Sequence, residues 1–285
     1  MEKLFFSQIR TYFGTIISLV YALFHLFSGV NAHISEWIFA GLMMFSLGIP
    51  HGAGDHLIVQ KWKETQGLPF SIARFMVSYL GVMFVYAILW YFLPRFAFAM
   101  FILISVFHFG DLEEKDNEED GIISIGRKLS LGTGILGWIL YVHEREVRII
   151  LGDELGDLPN QIPPYIFYVI LGCLIIGFRR SELPRYRNTL ITLLIGCFLP
   201  IIPAFVCYFA GCHAVYSLTD MSAHLGISLK RLLFKLLPFS CLAIVLGYLY
   251  VLFIGGANLI LYGFVFLSML TMPHFWLMHQ FVKKK

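Results

Sequence analysis

The chain has 285 residues, 58% apolar and only 14% charged, with a formal net charge of +3. A soluble domain carries about 25% charged residues, so this composition excludes an ordinary soluble fold and points to a polytopic membrane protein. The basic residues lie between apolar runs, which is the pattern of topology signals and not of a nucleic-acid-binding surface.

About ten apolar runs approach bilayer-spanning length: 12–30, 36–51, 71–93, 95–111, 121–143, 164–178, 187–201, 203–223, 231–254 and 257–281. Only helices or closed barrels satisfy the backbone in lipid. Unbroken apolar runs do not alternate as barrel strands do. The expected fold is therefore all-α, a helix bundle of about 8–10 spans forming a single integral membrane domain. The N-terminal stretch lacks a short apolar core followed by a small-residue cleavage site, and is read as a retained first helix. Pro200 and Pro203 split 187–201 from 203–223, two runs that are either separate or one broken element. The segment 144–163 is read as a long loop on the outer side. Lys3, Arg10, Lys61, Lys63, Lys115, Arg179, Arg180, Arg185, Arg187, Lys230, Arg231, Lys235 and the tail Lys283–Lys285 fall in one set of loops. By the positive-inside rule both termini face the cytoplasm, and the chain sits in the cell's inner (plasma) membrane. The acidic run DLEEKDNEED, 111–120, does not match a calcium loop and reads as a solvated turn. The five cysteines all lie in apolar runs without a CxxC pair and read as buried, inert thiols.

Ten histidines stand against this apolar background. In the predicted topology four of them, His51, His108, His213 and His274, share one depth near the cytoplasmic ends of four even-numbered spans. Each has a small or helix-bending neighbour: Pro50 and Gly52, Gly110, Gly211, and Pro273. His25 and His143 lie toward the outer side and read as helix-to-helix hydrogen-bonding groups. Ionisable groups within a membrane are costly and usually serve a site or a pathway. Neutral imidazole is the commonest ligand for iron, copper and zinc. From the residues alone a metal site, a proton path, haem ligation and structural hydrogen bonds all remain open. Asp55, four residues after His51, faces the same side if the helix continues past Gly52 and Gly54, and either orients an imidazole from behind, caps a helix end or meets water.

The motifs Pro50-His51-Gly52-Ala53-x-Asp55, Phe107-His108-Phe109-Gly110, Tyr208-Phe209 followed by His213, and Pro273-His274 resemble the Brp/Blh family. Its members are bacterial and archaeal membrane β-carotene 15,15′-dioxygenases. The resemblance runs in order from about residue 40 to the C-terminus. Residues 36–285 form the family-like core, and 1–35 an extra N-terminal span. The resemblance implies a non-haem Fe(2+) site with four histidine ligands that splits the central double bond of β-carotene with O₂ to give retinal. His51, His108 and His213 match three of the ligands and are the expected catalytic residues. The family's fourth ligand is a second histidine four residues beyond the third, and here that position is Ser217. His274, on another span, is the candidate replacement, with Asp55 and Ser217 beside the metal ligands. Implied partners are β-carotene or a related carotenoid, O₂ and membrane lipid, with no nucleic acid. Twenty-eight phenylalanines and fourteen tyrosines are enough to wall an apolar tunnel, and equally suit helix packing and interfacial belts. Rival readings are a carotenoid- or retinoid-binding homologue without cleavage, a transporter with a histidine relay, and a haem-bearing oxidoreductase.

Overall fold

The computed structural model describes residues 11–28, 32–113, 121–155, 162–178, 183–254 and 258–282. They are helical, with no strand among them. In chain order the helices are α1 (Phe13–Ser28), α2 (Ala32–Met43), α3 (Ile49–Ala53), α4 (Asp55–Thr65), α5 (Ile72–Phe92), α6 (Pro94–Glu113) and α7 (Ile122–Val142). They continue with α8 (Glu144–Leu155), α9 (Tyr165–Ile176), α10 (Leu183–Gly196), α11 (Ile201–Tyr208), α12 (Val215–Leu225), α13 (Leu229–Ile254) and α14 (Leu259–Val282). Two π-helical turns interrupt them, Met44–Gly48 between α2 and α3 and Phe209–Ala214 between α11 and α12. The acidic run beyond Glu113, the tail lysines, Lys3, Arg10, Lys115, Arg179 and Arg180 lie outside the described residues.

Among the described residues, five helical segments are long and apolar enough to cross a membrane: Ile72–Phe92, Pro94–Asp111, Ile201–Leu225, Leu229–Phe253 and Leu259–Leu277. Phe13–Phe27 and Tyr165–Ile176 are apolar but shorter. The chain is an all-α membrane protein. The apolar runs became helices because every main-chain donor must find its acceptor within the segment when water is absent.

Two expectations change in detail, and one open alternative is resolved. The segment 144–163 is not simply a loop, because Glu144–Leu155 forms helix α8. Its charges hid an apolar stripe at helical spacing, in which Ile150 and Leu151 are buried while Ile149 is exposed. The runs around Pro200 and Pro203 are two helices and not one broken element, since α10 ends at Gly196 and α11 starts at Ile201. Pro203 sits in the first turn of α11, where a missing N–H breaks no helical bond. Cys207 and Cys212 are buried, but Cys173 and Cys197 are partly exposed and Cys241 is exposed.

The chain divides into two compact units. One holds α1 and α2, the end of α6 from Ser105, α7 and α8 as far as Ile149, α9 to α11, and the second π-turn through Ser217. Within it α6 and α7 cross with their backbones almost touching. A Cβ on Gly110 would fall on the Lys128 carbonyl, and one on Gly132 would fall on the Val106 carbonyl. Lys128, 3% exposed, pairs with Asp111 at 2.8 Å beside that crossing. Polar tethers fix further neighbours. Trp138 Nε1 donates to the Leu193 carbonyl at 3.3 Å. The Ile201 N–H, orphaned at the start of α11, donates to Glu146 Oε2 at 3.0 Å.

The other unit holds α3 to α5, the first part of α6, residues 150–157, α12 from Leu218, α13 and α14. Here α5 is tied to α14 by Tyr79, whose hydroxyl donates to the Leu270 carbonyl at 3.2 Å, and by Trp90, whose Nε1 donates to Ser268 Oγ at 2.8 Å. Tyr86 donates to the Ala97 carbonyl at 2.7 Å, closing the α5–α6 corner at Pro94.

Candidate metal centre

In the first unit α6 presents His108 and the π-turn presents His213, which is fully buried. A π-turn packs one extra residue into a helical turn, and such turns recur at functional sites. The Nε2 atoms of the two imidazoles lie 3.1 Å apart. Aromatic rings enclose His213. Phe209 stacks on it with centroids 5.7 Å apart, and Phe109 meets it edge-on at 4.9 Å. Tyr208 lies 6.5 Å away. Two imidazole nitrogens come this close through an N–H···N hydrogen bond or by sharing an ion. With metal–nitrogen bonds of about 2.1 Å, a 3.1 Å separation corresponds to ligands roughly at right angles. The donor pair therefore fits a metal, and imidazole suits iron, copper, nickel and zinc alike.

The second unit gathers His51, His274 and Asp55. His51 lies in the short α3, which stops at Gly54 before Asp55 opens α4. The His51 and His274 rings meet edge to face at 5.2 Å. Asp55 Oδ1 is 2.7 Å from His274 Nδ1, and both side chains are almost completely buried. A carboxylate that accepts the Nδ1 proton of an imidazole orients the ring and leaves Nε2 as its coordinating nitrogen. Asp55 thus takes up the role of imidazole partner, with His274 on the helix after Pro273. The Tyr79 hydroxyl approaches the same carboxylate.

Ser217 is buried, one helical turn beyond His213. His143, just past the end of α7, puts its Nδ1 2.8 Å from the Ile139 carbonyl of that helix and its Nε2 2.9 Å from the Leu199 carbonyl in the turn between α10 and α11. His25 stacks on Tyr21. His56 packs against Phe239, and its Nδ1 lies 2.9 Å from the Ala53 carbonyl. Burial pushes its pKa below the ordinary histidine value, against the opposing pull of that carbonyl. The side chains of His33 and His279 lie outside the described residues. Sequence reasoning missed Asn188, which is fully buried behind His213. The available signal was three polar residues, Asn188, Thr189 and Thr192, set at helical spacing inside an apolar run.

Comparison with known proteins follows the same residues. A family model described as Beta-carotene 15,15'-dioxygenase matches residues 42–282. A Beta-carotene 15,15'-dioxygenase of Uncultured marine bacterium 66A03 is 26% identical over 142 residues, 50% of this chain and 50% of that protein. The matched stretch thus spans about half the length of this curated relative. No solved structure matches the chain.

Proposed function

Because the chain belongs to the β-carotene 15,15′-dioxygenase family, matched over residues 42–282, we propose that it cleaves the central double bond of β-carotene or a close carotenoid with O₂ to give retinal. The proposed ligands of a ferrous ion are His51, His108 and His213, with His274 as the fourth. When bound, the ion supplies the redox chemistry that lets O₂ react with a closed-shell polyene. The residues of the chain do the rest. The imidazoles offer nitrogen lone pairs from buried positions. Asp55 holds the proton on His274 Nδ1. Phe109, Phe209 and Tyr208 exclude water around His213. A lipid-dissolved hydrocarbon substrate suits a chain with this many membrane-length helices.

The observation that carries this reading is the buried His108–His213 pair with its 3.1 Å Nε2 separation, on the two motif positions where the family resemblance expects ligands. The test is iron content of the purified protein together with retinal formed from β-carotene, with and without O₂. His108→Ala and His213→Ala should each remove both iron and product. Full activity in iron-free protein, or in either variant, would sink the reading. Ser217 favours one second reading, a carotenoid-binding homologue that does not cleave. That protein would bind β-carotene and shift its visible spectrum yet release no retinal under O₂.

A further inference from the structure

The π-turn that carries His213 is held from behind by a polar latch, and the latch reaches the N-terminal helix. Asn188 of α10 is at its centre. Its Nδ2 donates to Tyr216 Oη at 2.5 Å and to Cys212 Sγ at 3.2 Å. Its Oδ1 accepts from the Thr15 main-chain N–H at 2.9 Å and from Thr15 Oγ1 at 2.8 Å. An amide has two donor hydrogens and two acceptor lone pairs, so these four bonds use its whole capacity. The Thr15 N–H can only donate, which fixes which end of the amide faces it. That N–H lies in the first turn of α1, where no helical acceptor exists. Asn188 therefore caps α1 and grips the residue before His213 in a single interaction.

Packing repeats the arrangement. A Cβ on Gly14 would fall on Cys212 Sγ and come within 2.9 Å of Thr192 Oγ1. One on Gly211 would lie 3.0 Å from Gly14 Cα and 3.1 Å from Ile17 Cγ2. The backbones of α1 and the π-turn thus meet at two facing glycines. Cys212 also donates to Thr192 Oγ1 at 3.4 Å. Tyr216 closes the far side, with its hydroxyl 3.3 Å from the Arg185 carbonyl and the Arg185 guanidinium over its ring at 4.9 Å. Cys212 and Tyr216 bracket His213, one residue before it and three after. A π-turn is intrinsically less favourable than the α-helix around it, and its rotational setting decides where His213 Nε2 points. The residues matched to the family begin at 42, so α1 lies outside them.

We propose that Asn188, with Thr15 and Gly14 of α1, is a positioning device that sets the rotation of the Phe209–Ala214 π-turn and so aims His213 Nε2 at the metal. This rests on the reading of His213 as a metal ligand. It makes the N-terminal helix part of the site's support and not an appendage. Groups behind a ligand typically govern about 10–100-fold of metal affinity or activity.

The test uses the full chain in detergent, stripped of metal and titrated with Co²⁺, whose visible bands report coordination geometry. Asn188→Ala should weaken Co²⁺ binding by about 10–100-fold and shift those bands. On iron-loaded protein it should lower kcat while leaving KM for β-carotene unchanged. Asn188→Asp keeps the acceptor for Thr15 but loses the donors to Tyr216 and Cys212, so it should show the same shift. Tyr216→Phe, which keeps the ring, should show it in weaker form. If Asn188→Ala does not fold, Asn188→Asp and Tyr216→Phe decide. Unchanged Co²⁺ affinity and bands in these variants, while His213→Ala loses Co²⁺, would overturn the proposal and leave the metal site standing. Wild-type Co²⁺ binding by His213→Ala would instead remove the parent reading, and the proposal with it.

Discussion

Asp55 and His274 are 219 positions apart in sequence, yet Oδ1 of one lies 2.7 Å from Nδ1 of the other. Both are almost fully buried, at 2% and 3% exposure. A carboxylate is expensive to remove from water and is retained where it has a partner. Here the partner is an imidazole whose other nitrogen is thereby defined as the lone-pair side. Asp55 is thus better placed to serve His274 than to act as a helix cap.

The first prediction tests this pair. Asp55→Ala should cost about 1–3 kcal/mol of stability through the lost buried hydrogen bond. It should also lower iron retention by about 10–100-fold. Asp55→Asn keeps an acceptor oxygen and should fall between wild type and Asp55→Ala. Iron content by elemental analysis and thermal unfolding in detergent give both readouts. Equal iron in wild type and Asp55→Ala would show that His274 needs no orienting partner.

His143 should behave in the opposite way. Its two nitrogens lie against main-chain carbonyls of Ile139 and Leu199, far from the chemistry in role. His143→Ala should lower Tm, with a loss of about 1–3 kcal/mol. The iron bound per folded molecule should stay unchanged. Iron loss without any fall in Tm would reverse this assignment.

The α6–α7 crossing predicts a contrast between two glycines of one helix. A Cβ on Gly132 would fall on the Val106 carbonyl, whereas one on Gly126 meets nothing within 4 Å. Gly132→Ala should therefore destabilise by about 1–3 kcal/mol through overpacking. Gly126→Ala should be neutral or stabilising by about 0.4–1 kcal/mol. Because His108 follows Val106 by two residues, Gly132→Ala should also reduce iron content. Similar Tm values for the two variants would mean that the helices separate without cost.

Much of the architecture was legible because the bilayer leaves an apolar run few options. The spans 71–93, 95–111, 121–143 and 231–254 reappear as α5, α6, α7 and α13 within a few residues. The histidine motifs were legible because ionisable groups stand out against such runs. The partnerships were not. Nothing local in sequence says that Asp55 meets His274 across the chain, or that His213 sits in a π-turn, since inserting one residue per turn leaves no compositional mark. Helix α8 was hidden because the charges of Glu144, Arg145, Glu146 and Arg148 outweighed the stripe of Val147, Ile150 and Leu151. Asn188 was passed over because one amide in an apolar run looks like ordinary interhelical glue until its four bonds are seen.

Glu144 gives a pH prediction. Hydrogen bonds from Arg148, first, and then from the Ile162 N–H hold its carboxyl below the ordinary glutamate value. A depressed folded-state pKa means the contribution is complete above the unfolded value, near 4.5, and is lost as pH falls through the lower folded value. The protection of the Ile162 amide, its exchange rate relative to the intrinsic rate at the same pH, should therefore stay high near neutral pH and fall on acidification. Glu144→Gln should lose that acid-dependent step. A step that survives in Glu144→Gln would place its origin elsewhere.

Ser217 separates fold from catalysis. It occupies the position where the family resemblance expects the fourth histidine, one turn beyond His213 on the same helix. Its side chain is buried at 5% exposure. Ser217→His must place an imidazole where a hydroxyl now fits, and overpacking of this kind costs about 1–3 kcal/mol. If His274, oriented by Asp55, is the fourth ligand, the new ring competes for a filled position. Iron retention and retinal output should then both fall, while His274→Ala alone should fall further. The double variant Ser217→His with His274→Ala is decisive. It should recover iron relative to His274→Ala, because the family's arrangement is rebuilt on one helix. If Ser217→His alone instead raises both iron and product, the natural chain lacks its fourth ligand and His274 does not supply it. Should neither Ser217→His nor His274→Ala change iron content, three histidines suffice, and position 217 faces away from the ion.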